Sequence, residues 1–220
     1  MQARRSRTAG RKMRLRQRLL RRERELWQDG RARVAGVDEA GMGPLAGPVV
    51  AAAVYFAPGS GILGVNDSKK LTPKARTDLA AVIRERAAAW CVAQVEPDEI
   101  DRFNIYQAGL LAMRRAVLGL DPAPDFILVD GRTEIPGLRV SQEKRIGGDR
   151  SCFAIAAASI LAKTVRDDLM LRYHEQFPEY GFAEHKGYAT ASHRAAIARL
   201  GPSPIHRRSF VLVPHPRLFD

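Results

Sequence analysis

The run Arg33-Val-Ala-Gly-Val-Asp38 passes through Glu39 and a Gly/Pro-rich turn into Pro48-Val-Val-Ala-Ala-Ala-Val-Tyr-Phe56. Both runs are short, apolar, valine-bearing and bounded by turn residues, so both read as β-strands. The short gap between them makes them antiparallel neighbours. Downstream, Asn66 to Pro73 is loop, and Thr72-Pro73 starts a helix with Thr as N-cap and Pro at the first helical position. That helix runs to about Ala89, and Trp90-Cys-Val-Ala-Gln-Val95 is a third strand. Pro97 to Leu118 is helical. Phe126-Ile-Leu-Val-Asp130 is apolar up to its last residue, the pattern of a central strand covered on both faces. Arg139 to Ser141 is a short fifth strand, and Ser151 to about Glu175 is a long Ala-rich helix. From Pro178 the chain is loop, with one helix near Ser192 to Leu200. Alternating strands and helices give an α/β class, a mixed central sheet of about five strands flanked by helices.

Composition narrows the function. At 220 residues the chain holds one domain with something left over. Apolar residues make up 45%, enough for a real core. No apolar stretch approaches the roughly 18 residues of a membrane span. Two cysteines, Cys91 and Cys152, build neither a disulfide framework nor a Cys-rich zinc site. With no secretory segment at the start, the expectation is a reduced, cytoplasmic setting and a monomer. Net charge is +12, which points to a polyanion such as nucleic acid. Residues 1–30 carry eleven Lys or Arg against three acids, a net +8, and the remaining 190 residues only +4. The expected organisation is therefore a basic arm over residues 1–32, flexible or helical on contact, joined to a domain over 33–220. A plain solubilising extension is the competing reading of the arm.

Acidic residues close several apolar elements. Asp38 and Glu39 end the first strand, Asp130 ends the fourth, and Asp149 sits in Gly147-Gly148-Asp149 before the long helix. In open α/β sheets the functional crevice lies beyond the strand ends. Clustered carboxylates there suit one or two Mg²⁺ ions facing a phosphate. Taken singly, Asp149 also reads as a helix cap and Asp130-Gly131 as a turn. Adjacent Asp38 and Glu39 are costly to bury without a cation. Strand periodicity sends them to opposite faces, so Glu39 joins Asp38 only where the strand ends, or through its carbonyl. Asp167 competes with Asp149, but lies roughly 27 Å along a continuous helix from it and is read as structural.

Eight motifs occur in the order seen in ribonuclease HII. They are Asp38-Glu-Ala-Gly-Met-Gly-Pro-Leu-Ala-Gly-Pro48, Asn66-Asp-Ser-Lys-Lys-Leu71, Val129-Asp-Gly131, Gly148-Asp149, Ala157-Ala-Ser-Ile-Leu-Ala-Lys163, Arg166-Asp167, His185-Lys-Gly-Tyr-Ala-Thr190 and Ser203-Pro-Ile-His-Arg-Arg-Ser-Phe210. The chain resembles that family from Val34 to about Phe210. The resemblance implies a ribonuclease H-like fold and Mg²⁺- or Mn²⁺-dependent cleavage of RNA in RNA–DNA hybrids. It also implies incision 5′ of a single ribonucleotide in duplex DNA, leaving 3′-hydroxyl and 5′-phosphate ends. Its four acidic residues fall on Asp38, Glu39, Asp130 and Asp149. Its backbone reader of the ribose 2′-OH falls on Gly41, Met42 and Gly43, and its stacking tyrosine on Tyr188. Lys69, Lys70, Lys186, Arg207 and Arg208 are candidate phosphate clamps. His185 and His206 are read as structural or phosphate-contacting.

Two departures matter. Met42 stands where the family has Arg between the glycines, and Gly147 where it usually has Lys. Both remove positive charge, which the basic arm is expected to offset. Met42 leaves room for a same-fold nuclease with altered junction specificity. A non-catalytic nucleic-acid-binding protein is the third reading, although it predicts loss of a carboxylate and all four are present. Leu218-Phe219, near the chain's end, faintly resembles peptides that dock into sliding clamps.

Overall fold

Five strands build the sheet: β1 (Val34–Ala40), β2 (Val49–Tyr55), β3 (Ala89–Val95), β4 (Phe126–Asp130) and β5 (Gln142–Arg145). A computed structural model describes residues 2–213 and orders them β3-β2-β1-β4-β5. β1 pairs antiparallel with β2, as the short connection requires, and β2 with β3. β4 runs parallel to β1, and β5 parallel to β4. The helices are α1 (Gln2–Leu19), α2 (Arg21–Gln28), α3 (Pro73–Arg86), α4 (Pro97–Phe103), α5 (Ile105–Leu118), α6 (Phe153–Gln176), α7 (Phe182–His185) and α8 (Ala191–Leu200).

Alternation along β2 divides the core in two. Val49, Ala51, Ala53 and Tyr55 join the cluster that α5 completes through Ala108, Ala112 and Ala116. Ala52 and Val54 face the other way, into the cluster completed by Phe153, Ala157 and Leu161 of α6. Small side chains let α6 lie close to the sheet. At Gly36 a Cβ would stand 2.1 Å from the Ala154 carbonyl carbon, so the crossing of α6 over β1 requires glycine there.

Apart from the short α7, which falls in the stretch after Pro178 expected to be loop, the structure differs from the sequence expectation in four places. The helix expected over 97–118 is two helices, broken at Asn104 (φ 69°), whose side chain accepts from the Gln107 N–H at 3.1 Å and caps α5. The fifth strand lies at Gln142–Arg145 rather than 139–141. Gln142 fixes it by exchanging hydrogen bonds with the Ile135 backbone at 2.8 and 2.9 Å. α6 begins at Phe153, after a 3₁₀ turn over Gly148–Arg150.

The fourth difference is the arm. It is helical, and its inner half is docked rather than frayed. Leu19 and Leu20 are buried in the α6-side cluster, and Leu26 packs with Val34, Leu128 and Ile155. Glu23, 1% exposed, accepts the Ala154 N–H at 2.8 Å and so serves a free donor at the start of α6. Arg22 pairs with Glu143 of β5 at 2.7 Å. Few apolar residues are present, but they share one side, and the buried carboxylate supplies the rest.

Candidate active site

The parallel pairing of β1 with β4 places the site. Val37 sits opposite Val129, so one residue further on Asp38 meets Asp130 at the C-terminal ends of both strands. β2 leaves from one side of this junction and β4 lies on the other, the switch point at which α/β sheets open a crevice. The Gly148 N–H donates to Asp130 Oδ1 at 2.8 Å, which ties the turn bearing Asp149 to the end of β4.

All four carboxylates line one cavity of about 250 Å³, together with Gly41, Met42, Gly43, Ser68, Lys69, Ser159, Lys163 and Tyr188. β1 does not stop at Asp38. Glu39 also lines a space on the α5 side and reaches this cavity because β4 ends beside it. Its N–H donates to Asp38 Oδ1 at 2.8 Å. Burial, then the Glu39 and Asp130 charges, hold Asp38 well above the usual carboxylate range. Burial and Asp130 push Glu39 up to about 7, with Lys69 opposing. Asp149 is raised by burial, Asp67 and Asp130, against Lys69 and Arg150. Crowded acids of this kind repel one another unless protons or a cation intervene. The donors are all hard oxygens, with no thiolate or imidazole, a set that suits Mg²⁺ or Mn²⁺ rather than zinc. Among the described residues no three His, Cys, Asp or Glu side chains already close on one point. The carboxylates stand around the cavity wall, which fits ions that retain several waters.

The glycine loop is braced from behind by two arginines buried among backbone carbonyls. Arg207 is wholly buried and donates to the carbonyls of Gly47 (2.9 Å), Pro44 (2.8 Å), Gly41 (2.6 Å) and Met42 (3.3 Å). It therefore positions the loop and does not face a phosphate, which corrects the expectation for this residue. Arg166 does the same for Pro48, Ala46 and Lys186, each at 3.1 Å. Gly41 (φ 98°) is obligatory, since a Cβ would meet Arg166 Nε at 2.1 Å. Met42 turns to α5, where its Sδ lies 2.9 Å from the place of a Cβ on Gly109.

Tyr188 is 43% exposed at the cavity mouth, with Lys163 Nζ and the Arg166 guanidinium 5.8 and 5.9 Å from its ring. Its carbonyl ends a chain of buried histidines. The Ser203 N–H donates to His206 Nδ1 at 2.9 Å, so the proton of the neutral ring sits on Nε2. That proton points to His193 Nε2 at 3.0 Å, leaving His193 Nδ1–H to donate to Tyr188 O at 2.9 Å. Burial pushes both rings down to about 4, which keeps them neutral at physiological pH. His206 is thus structural. His185 stacks on His193 at 4.3 Å and accepts the Gly187 N–H.

The remaining candidates separate. Lys69 lines the cavity, whereas Lys70 lines a groove against α1. The Lys186 ammonium is engaged with the Ala183 carbonyl. Arg208 is exposed, with its N–H on Asp101 at 2.9 Å. Asp167 pairs with Lys163 at 2.6 Å and Arg76 at 3.5 Å. Sequence reading assigned no role to Ser159, Lys163, Arg166 or His193. The first three recur at i, i+4 and i+7 on α6, starting within its apolar first half, and that was the available signal. Arg150 also answers one departure: its guanidinium fills the space a side chain at Gly147 would take, and Nε stands 3.8 Å from Asp149. Residues 216–220, with Leu218-Phe219, lie outside the described residues.

The ribonuclease HII family model matches residues 35–213. The chain belongs to the ribonuclease HII family. Ribonuclease HII of Moorella thermoacetica is 54% identical over 188 residues, 86% of this chain and 91% of that protein. Its counterpart from Thiobacillus denitrificans is 58% identical over 180 residues, 82% and 88% respectively. Among solved structures, ribonuclease H2 of Pyrococcus horikoshii superposes with TM-score 0.70 at 26% identity, covering 82% of this chain and 94% of that one. A PCNA:RNase HII complex from Archaeoglobus fulgidus gives 0.65 at 31%, with 80% and 92% coverage. The chain is therefore a type 2 ribonuclease H, a hydrolase on the ribonuclease H-like fold. No helix among its described residues is long and apolar enough to cross a membrane.

Proposed function

We propose that the chain is a metal-dependent endonuclease that cuts RNA in RNA–DNA hybrids and incises 5′ of a single ribonucleotide in duplex DNA, leaving 3′-hydroxyl and 5′-phosphate ends. The observation that carries this reading is the gathering of Asp38, Glu39, Asp130 and Asp149 on one cavity beside the Gly41–Gly43 loop and Tyr188. Asp38, Glu39, Asp130 and Asp149 would hold one or two Mg²⁺ or Mn²⁺ ions. When bound, such ions neutralise charge at the scissile phosphate and lower the pKa of an attacking water.

The other parts are the chain's own. Carbonyls of Gly41 and Met42 are held by Arg207, so the loop offers its N–H groups to a ribose 2′-OH, the group that distinguishes RNA from DNA. Such a reader uses no side chain at position 42, and Met42 fits it by packing on Gly109. Tyr188 presents a ring face to the neighbouring sugar or base. Lys69 supplies a cation opposite the carboxylates. An archaeal relative was solved with PCNA, which supports a sliding clamp as a partner, and residues 216–220 are the segment we assign to it. Deleting those five residues should abolish clamp binding in a pull-down, and retained binding would contradict it.

The catalytic reading is tested by cleavage of a labelled RNA–DNA hybrid with Mg²⁺, Mn²⁺ or EDTA. Cutting should occur with either ion and vanish with EDTA and in Asp149→Asn. Cutting by Asp149→Asn at the wild-type rate would remove that carboxylate from the reaction.

A further inference from the structure

The docked arm gives the molecule a second charged surface with a fixed orientation. Leu19 and Leu20 are buried and Glu23 is bonded to the start of α6, so α1 is held against the domain. Arg11, Arg14 and Arg18 recur at i, i+3 and i+7 on one face of α1, all exposed. None has a carboxylate partner among the described residues. Arg18 lines two surface grooves of about 640 and 530 Å³. The first contains Lys70, next to cavity-lining Lys69, and the second contains Arg150, next to Asp149. The basic track thus reaches the candidate active site from two sides. At 18 residues α1 is about 27 Å long, most of a duplex turn.

We propose that this face of α1 is a separate contact for the phosphate backbone of the duplex flanking the cleavage point. The inference rests on reading the site as that of a nuclease on duplex substrates. It is indifferent to sequence, because arginines aimed at phosphates read no base edges. A membrane surface fits less well: Leu15, Leu19 and Leu20 are turned into the core cluster, leaving no apolar stripe to enter a bilayer.

The test is anisotropy titration of a DNA duplex of about 30 base pairs bearing one ribonucleotide, in EDTA, at 50 and 200 mM salt. The full chain is compared with R11Q/R14Q/R18Q. Three lost phosphate contacts make the wild-type affinity fall about 40-fold more than the variant's between the two salts. Lysine at the same three positions restores the steep response, and matching thermal melts show that the fold is intact. Equal salt responses of wild type and variant would overturn the proposal. So would a loss confined to phosphatidylserine vesicles, which would give the face to a membrane. A wild-type chain with the steep salt response that cuts no ribonucleotide-bearing strand in Mg²⁺ would overturn the proposed activity and leave this contact standing.

Discussion

At the scale of single residues, one pattern joins the site to its supports: charges are buried only where backbone or one another meets them. Glu39, raised to about 7, must lose its proton before its oxygen can ligate a cation. Affinity for Mn²⁺ should therefore rise about tenfold from pH 6 to pH 8 for this one group, and flatten above. Calorimetric titration at the two pH values checks this, and equal affinities would contradict it. Arg207 is the opposite case, a buried cation spread over four carbonyls. Arg207→Met should lower unfolding stability by about 3 kcal/mol and raise KM, since the carbonyls it served are left unpaired. Wild-type stability by urea denaturation would show that the brace is dispensable. Asp38, Glu39 and Asp130 were legible because they stand at the ends of apolar runs, and Asp149 because a Gly-Gly turn sets it just before the long helix. The inward turn of Arg207 was not, because an arginine in a loop reads as surface charge until its neighbours are known.

At the scale of elements, strands with apolar alternation were legible and those fixed by side-chain bonds were not. β4 is plain in Phe126–Asp130, whereas β5 reads Gln-Glu-Lys-Arg and owes its place to Gln142 on the Ile135 backbone. The break at Asn104 carries neither Gly nor Pro, so the helical period runs through it unmarked. α2 depends on Glu23, which looks like any acid in a basic arm. Burial raises Glu23 to about 7 against an ordinary 4.5. Because its folded pKa is the higher one, its favourable share of stability is full below pH 4.5 and is lost as pH rises through 7. The loss amounts to about 3 kcal/mol at most. Glu23→Gln keeps an acceptor for the Ala154 N–H and removes the charge. Urea denaturation at pH 5 and pH 8 should show the variant gaining on wild type by clearly more at pH 8 than at pH 5. A gain of equal size at both would remove Glu23 from the pH response.

At the scale of the whole molecule, the sheet order sets the chemistry. Placing β4 parallel beside β1 brings Asp38 and Asp130 together, the Gly148 bond adds Asp149, and α6 carries Ser159 and Lys163 past the same opening. The loop from Gly41 to Gly47 and the segment around Tyr188 close it, both held by buried arginines and histidines. In the proposed reading the loop backbone, and not a side chain at position 42, recognises ribose. The most direct test maps, at single-nucleotide resolution, the cut made in duplex DNA carrying one ribonucleotide, with Mg²⁺ present. Incision immediately 5′ of the ribonucleotide, ending in a 3′-hydroxyl and equally placed in Met42→Arg, is the result the backbone reading predicts. Cutting of a full RNA–DNA hybrid alone, with the lone ribonucleotide cut only after Met42→Arg, would contradict it and assign recognition to the missing arginine.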